Sequence, residues 1–310
     1  IYSNEILIDV KTLNIDSASF TQIKEQAKGD IEEIKRIMLK IVEERGKHQN
    51  PITGSGGMLI GIVEEIGPDL EGKIDLSVGD KIATLVSLSL TPLKIDEIIE
   101  IRKDVDQVDI KGKAILFESG IYSQLPEDLP DNLALAVLDV AGAPAQVSKS
   151  ASPGDIVVVM GAGKAGLLCL YEANKRIKPN GVVVCIEYSK EQCQLVEELN
   201  LADIVIQGNG KNPMEIYNKY KEVMGDNLAD LTINTVNIPD TELATVIITK
   251  DKGTIFFFSM ATDFSKAALG AEGLGKDVTM LVGNGYTKGH ADIALNILRE
   301  SEKMKKLYEK

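Results

Sequence analysis

Histidine, cysteine and tryptophan are the scarce residues of this 310-residue chain, at two, three and none. Two histidines, His48 and His290, cannot build a multi-histidine metal centre. The three cysteines, Cys169, Cys185 and Cys193, lack the spacing of a zinc site, and three thiols in a long chain are no disulfide framework. They read as buried or incidental reduced thiols of a cytosolic protein. With no tryptophan and aromatics at 5%, a base-stacking platform is not expected. Positive charge is short as well: 34 Lys and Arg face 47 Asp and Glu, a net of −13, which argues against a nucleic-acid partner. No apolar run approaches the roughly eighteen residues of a bilayer span, so no membrane partner is expected either. The first ten residues hold Glu5 and Asp9 and no basic start, unlike a signal peptide. They also lack an initiator Met, so a natural N-terminal piece is expected to precede them.

What is present suits a globular chain: 44% apolar and 26% charged residues can bury a real core. The length fits two domains, and the hydrophobic period changes between them. Residues 1–145 read as β-rich, with strands at Glu5–Leu13, Met58–Ile66, Ile82–Leu88 and Ala114–Ile121. One amphipathic helix intrudes, with Ile31, Ile34, Met38, Ile41 and Val42 at helical spacing. A further helix is expected from Asp131 to Ala141. Residues 146–310 alternate strand and helix. Strands fall at 155–160, 182–186, 204–206, 228–235, 254–259 and 278–282, helices at 164–177, 190–199, 213–224 and 240–250, and a terminal helix at 290–308. Alternation of that length predicts a doubly wound parallel sheet and an α/β fold class.

The strongest motif is Gly161-Ala162-Gly163-Lys164-Ala165-Gly166, directly after the first strand of the alternating half and opening a helix. Gly161 permits a tight turn, Gly163 lets a pyrophosphate approach the backbone, and Gly166 permits close helix–strand packing. Amide N–H groups at the helix start, from Lys164 and Ala165 onward, then face phosphate. Glu187, at the end of the next strand and 21 residues beyond Gly166, suits the ribose hydroxyls of NAD and repels the extra phosphate of NADP. Lys190 nearby softens that discrimination and leaves NADP use open. Later strand ends bring Thr235 and Asn237, Ser259 and Met260, and the segment Asn284-Gly285-Tyr286 to the edge where such sheets bind ligands. Each is either a cofactor or substrate contact or ordinary loop chemistry.

A β-rich half followed by a Rossmann half resembles the medium-chain dehydrogenase/reductase superfamily. Gly61-Ile62-Val63-Glu64-Glu65-Ile66-Gly67 is similar to its GxVxxxG strand and Val78-Gly79-Asp80-Lys81-Ile82 to its GDRV segment. Leu125-Pro126-Glu127-Asp128-Leu129 and Pro153-Gly154-Asp155 match the steps into the cofactor domain. The resemblance implies a GroES-like catalytic domain at 1–145, a Rossmann domain at 146–310 and a homo-oligomer, dimer or higher. Zinc members carry a Cys after the first strand and Gly-His-Glu before GxVxxxG. Here Ile15-Asp16-Ser17-Ala18-Ser19 and Gly56-Gly57-Met58 stand in those places, and the four-cysteine lobe is missing. The resemblance is therefore to a zinc-free branch, with no metal expected.

Segments 13–25, 44–61, 110–122 and 138–147 are similar to one such branch, whose members oxidise an amine of 3,5-diaminohexanoate in lysine fermentation. That implies oxidative deamination at C3 with NAD as acceptor, giving 5-amino-3-oxohexanoate and ammonia. The chemistry needs a base for the substrate ammonium. Asp16 and Asp139 stand where the superfamily's loops face the nicotinamide, and both are catalytic candidates. Asp16 reads equally well as a helix or turn cap, and Asp139, in an apolar helix, as a buried paired carboxylate. Lys47 and His48 either bind the substrate carboxylate or are solvated. Two alternatives stay open: a zinc-free quinone or enoyl reductase, and a non-catalytic dinucleotide-binding protein, since fold alone does not fix function.

Overall fold

The computed structural model describes residues 1–259, 261–283 and 286–309. Met260 and the pair Asn284-Gly285, named above as candidates, lie outside the described residues. The chain divides into two compact units, Ile1–Asp139 and Val140–Lys310.

The first unit is built on β1 (Glu5–Ile15), where Ile6, Ile8 and Val10 alternate inward, with Leu13 and Ile15 beyond a register shift. After it come α1 (Ser17–Gln26), α2 (Ile31–Arg45), β2 (Gly57–Ile66), β3 (Lys81–Thr84), β4 (Leu93–Arg102), β5 (Gln107–Phe117), β6 (Tyr122–Gln124) and α3 (Asp131–Leu138). The strands pair antiparallel in the order β4-β5-β1-β2-β3-β6. Helix α2 starts behind Asp30, whose carboxylate accepts from the Glu33 N–H, and stops at Gly46 in the left-handed region. Its buried face is Ile34, Ile37, Met38, Ile41 and Val42, while Ile31 is exposed. Strand β4 was not expected, and β5 starts seven residues before the apolar run that announced it. The helix expected over 131–141 ends at Leu138, and a separate helix begins at Gly142. Pro144 explains the break, because it cannot donate to the Val140 carbonyl and its ring crowds that carbonyl.

The second unit runs α4 (Gly142–Ser150), β7 (Ile156–Met160), α5 (Lys164–Ile177), β8 (Val182–Glu187), α6 (Lys190–Leu199), β9 (Ile204–Gln207), α7 (Pro213–Met224), β10 (Ala229–Asn234), α8 (Glu242–Ile247), β11 (Thr249–Phe257), α9 (Phe264–Leu274), β12 (Thr279–Val282), α10 (His290–Glu300) and α11 (Glu302–Tyr308). Its six strands are parallel in the order β12-β11-β10-β7-β8-β9. Val157, Val158 and Val159 lie between Val183–Cys185 and Leu231–Ile233 and are fully buried. Each such side chain is worth roughly 1.5–3 kcal/mol. The order of connection reverses between β7 and β10, and a crevice opens at the carboxyl ends of such a pair. Cys169, Cys185 and Cys193 are buried and unpaired, their thiols pushed up by burial first and nearby carboxylates second. Among the described residues, no helix is long and apolar enough to cross a membrane.

Candidate active site

At the reversal point, β7 runs into the glycine loop. Gly161 has φ +91, a conformation that glycine adopts readily and other residues resist. A Cβ on Gly166 would sit 1.9 Å from the Gly161 carbonyl oxygen, whereas one on Gly163 would meet nothing within 4 Å. The loop is thus closed on the packing side and open at Gly163. Gly163 is the N-cap of helix α5 and offers no side-chain cap, so the amides of its first turn, including Lys164, Ala165 and Gly166, have no intrahelical acceptor. Uncapped amides and the positive end of the helix dipole suit a phosphate.

A cavity of about 490 Å³ lies over this loop. Gly161, Gly163, Glu187, Thr235 and Asn237 line it together. Sequence reasoning missed Tyr188 and the Gly208–Lys211 segment, which line it too. The signal was there: Gly208-Asn209-Gly210 follows a short strand, and ligands gather at strand carboxyl ends.

Glu187 is tied to the loop. Its Oε2 accepts from the Ala162 N–H at 2.6 Å and its Oε1 from the Ser189 N–H at 2.7 Å. Each carboxylate oxygen keeps a further lone pair for another donor. Thr235 donates its hydroxyl to the carbonyls of Met160 and Gly161 at 3.0 and 3.2 Å, fastening the loop to the end of β10. Buried Asn234 holds the turn after it, donating to Thr241 and Thr245 and accepting from the Val236 N–H. Ser259 is buried and donates to Asn237 Oδ1 at 3.0 Å. The hydroxyl of Tyr308 donates to the Lys164 carbonyl, so the terminal helix pins the first turn of α5.

In the first unit, Asp16 is the N-cap of α1, its Oδ1 accepting from Ala18 N–H at 3.0 Å and Ser19 N–H at 3.4 Å. The hydroxyl of Ser55 donates to the same oxygen at 3.1 Å. No hydrogen bond reaches Oδ2 among the described residues. Asp139 is the C-cap residue of α3 and is exposed rather than buried within a helix. His48 is not solvated: it is fully buried, and burial pushes its imidazole down to about 4 against the opposing pull of the backbone at His48 and Gly56. Among the described residues, no group of three or more His, Cys, Asp or Glu is placed to hold a metal ion.

Comparison with known proteins gives the lineage. A family profile for the L-erythro-3,5-diaminohexanoate dehydrogenase N-terminal domain matches residues 1–126. Two curated relatives bear the name L-erythro-3,5-diaminohexanoate dehydrogenase. The protein from Acetoanaerobium sticklandii is 58% identical over 100% of this chain and 90% of its own. The chain belongs to the L-erythro-3,5-diaminohexanoate dehydrogenase family. The family protein from Fusobacterium nucleatum is 57% identical over 99% of this chain and 90% of its own. Solved quinone and alcohol oxidoreductases share the fold, a GroES-like unit followed by a Rossmann unit. One, a mycobacterial protein in complex with NADPH, superposes with TM-score 0.60 at 15% identity, over 96% of this chain and 80% of its own. The family assignment makes the chain a dehydrogenase that uses a nicotinamide dinucleotide.

Proposed function

We propose that this protein catalyses oxidative deamination of the C3 amine of L-erythro-3,5-diaminohexanoate, with NAD as acceptor. The carrying observation is full-length identity of 58% to a protein of that name. It does not favour the quinone or enoyl reductase reading, because solved quinone reductases share only the fold at 15% identity. The open side of Gly163 and the uncapped start of α5 fit a pyrophosphate. Glu187, lining the same cavity, has acceptor capacity for ribose hydroxyls, which supports NAD over NADP. When bound, the dinucleotide supplies the hydride acceptor.

The protein's own task is proton handling. The substrate enters with its C3 nitrogen as an ammonium, which has no lone pair to expel hydride. Asp16, through its unbonded Oδ2, takes one proton from that nitrogen. The C3–H bond then breaks with its electron pair leaving as hydride, the nitrogen lone pair forms C=N, and water replaces ammonia at carbon. The balance is diaminohexanoate, NAD⁺ and water to 5-amino-3-oxohexanoate, NADH, ammonium and one proton. Asp139 is the second carboxylate, the counter-charge to the C5 ammonium. Purified protein given NAD and the diamino acid should form NADH and ammonium one to one. Dinucleotide binding without either product would contradict the assignment.

A further inference from the structure

The loop between α2 and β2 brings two hydroxyls, Thr53 and Ser55, against a third, Ser19 of α1, and Ser55 reaches Asp16. Asn50, fully buried, is its anchor. Its Oδ1 accepts from the N–H groups of Ile52 and Thr53 at 2.8 and 3.2 Å, and its Nδ2 donates to Ser19 O and Gln22 Oε1 at 3.3 and 2.8 Å. The loop is thereby stapled to α1, the helix that Asp16 caps. Ser19 Oγ then lies 2.6 Å from both Thr53 Oγ1 and Ser55 Oγ, with 3.0 Å between the last two. Three hydroxyls in a triangle hold three protons. Ser55 gives its proton to Asp16 Oδ1, so it can only accept from its two neighbours. A charged Asp16 therefore orients the cluster, and the cluster holds the carboxylate in turn.

All the described hydrogen bonds to the Asp16 carboxylate fall on one oxygen. We infer that Ser55, ordered by Ser19 and Thr53, is a positioning residue for Asp16, fixing Oδ1 so that Oδ2 is the atom offered to the substrate ammonium. This rests on the proposed role of Asp16 as base. A cap alone needs only the Ala18 and Ser19 amides; the Ser55 hydroxyl adds a third hold from a separate segment of chain. The hydroxyls of Ser19 and Thr53 limit the rotation of Ser55, and Ser19 is itself fully buried.

The test uses the full chain with NAD and 3,5-diaminohexanoate, comparing Ser55→Ala, Ser55→Thr, Asp16→Asn and the double variant Asp16→Asn/Ser55→Ala. Ser55→Ala should lower kcat about tenfold, the lower end of what a hydrogen bond to a charged group is worth. The substrate KM should stay within about twofold, the signature of a contact that serves the reacting step. Ser55→Thr keeps the hydroxyl and should restore kcat to within about twofold of the parent. In the Asp16→Asn background, Ser55→Ala should cost nothing more, since coupled residues are not additive. Unchanged kcat in Ser55→Ala, or no recovery in Ser55→Thr, overturns the inference while leaving Asp16 as base. An equal loss from Ser55→Ala in both backgrounds, with a lowered Tm, overturns it in favour of a purely structural hydroxyl. Parental turnover in Asp16→Asn removes the base assignment itself, and the inference with it.

Discussion

Replacing Glu187 by Gln keeps the size of the side chain and removes its charge. In the folded protein the carboxylate accepts from Ala162 N–H and Ser189 N–H at 2.6 and 2.7 Å. A glutamine can accept only one of the two, so its amide NH₂ must face the other donor. A lost hydrogen bond to a charged group costs about 1.5–3 kcal/mol, or about 10- to 150-fold in affinity. That loss falls on both dinucleotides, because the loop it loosens would carry the pyrophosphate of either. The second effect separates them. NAD loses a ribose acceptor, while NADP is relieved of charge repulsion at its 2′-phosphate, a further difference of about 1–3 kcal/mol. The ratio of kcat/KM for NAD over NADP should therefore fall at least about tenfold, and further in Glu187→Arg, which offers the phosphate a cation. Initial rates with each cofactor, together with NADH and NADPH binding followed by fluorescence, measure both effects. A ratio that stays within about twofold of the parent, whatever the absolute loss, would refute the role of Glu187 in cofactor choice.

Asp16→Asn and Asp139→Asn keep size and remove charge; at least one should lose about a hundredfold or more in kcat with NAD affinity little changed. If both turn over within about tenfold of the parent, neither is the base. Extensive chelation should leave turnover unchanged and elemental analysis should find no stoichiometric metal, since Asp16, Gly57 and Met58 stand where zinc enzymes of the superfamily have ligands. Activity lost on chelation and restored by Zn²⁺ would sink that prediction. His48 predicts an acid-labile fold: its imidazole sits near 4 when folded and near 6.5 unfolded. Between those values the unfolded chain binds the extra proton, so stability falls as pH drops from about 6.5 toward 4. Urea unfolding at pH 7 and 4.5 should show a drop about 2 kcal/mol smaller in His48→Gln than in the parent; equal drops would contradict it.

Most of the second unit was legible because its local signals agree, but the helix expected over 240–250 ends at Ile247 with β11 beginning at Thr249, and α9 was not expected. Strand Ile156–Met160 is apolar throughout, as a strand covered on both faces must be. Helices α6 and α7 began where expected because Ser189 and Asn212 cap them with their side chains. The terminal helix was read as one because its apolar spacing continues through a break. Ser301 ends α10 in extended backbone and caps α11 through the Met304 N–H. In the first unit β4 escaped notice because it is an edge strand with charged Lys94, Asp96, Glu97 and Glu100, burying only Leu93 and Ile98. The glycine loop and Glu187 could be read from spacing, since the turn geometry that needs glycine is local. The hydroxyl cluster at Asp16 could not, because Ser19 and Ser55 are 36 positions apart and meet only through the stapling of Asn50 to α1. Lys211 and Tyr188 carry no motif; they reach the cavity because they follow the carboxyl ends of β9 and β8, which lie in sequence beside β7.

The most direct test follows the hydrogen on C3. Diaminohexanoate deuterated at C3, incubated with the protein and NAD, should yield NADH carrying one deuterium at the nicotinamide C4, with ammonium and 5-amino-3-oxohexanoate in equal amount. NADH formed without the label, or labelled NADH with the C3 nitrogen still on the product, would contradict deamination by hydride transfer from that carbon.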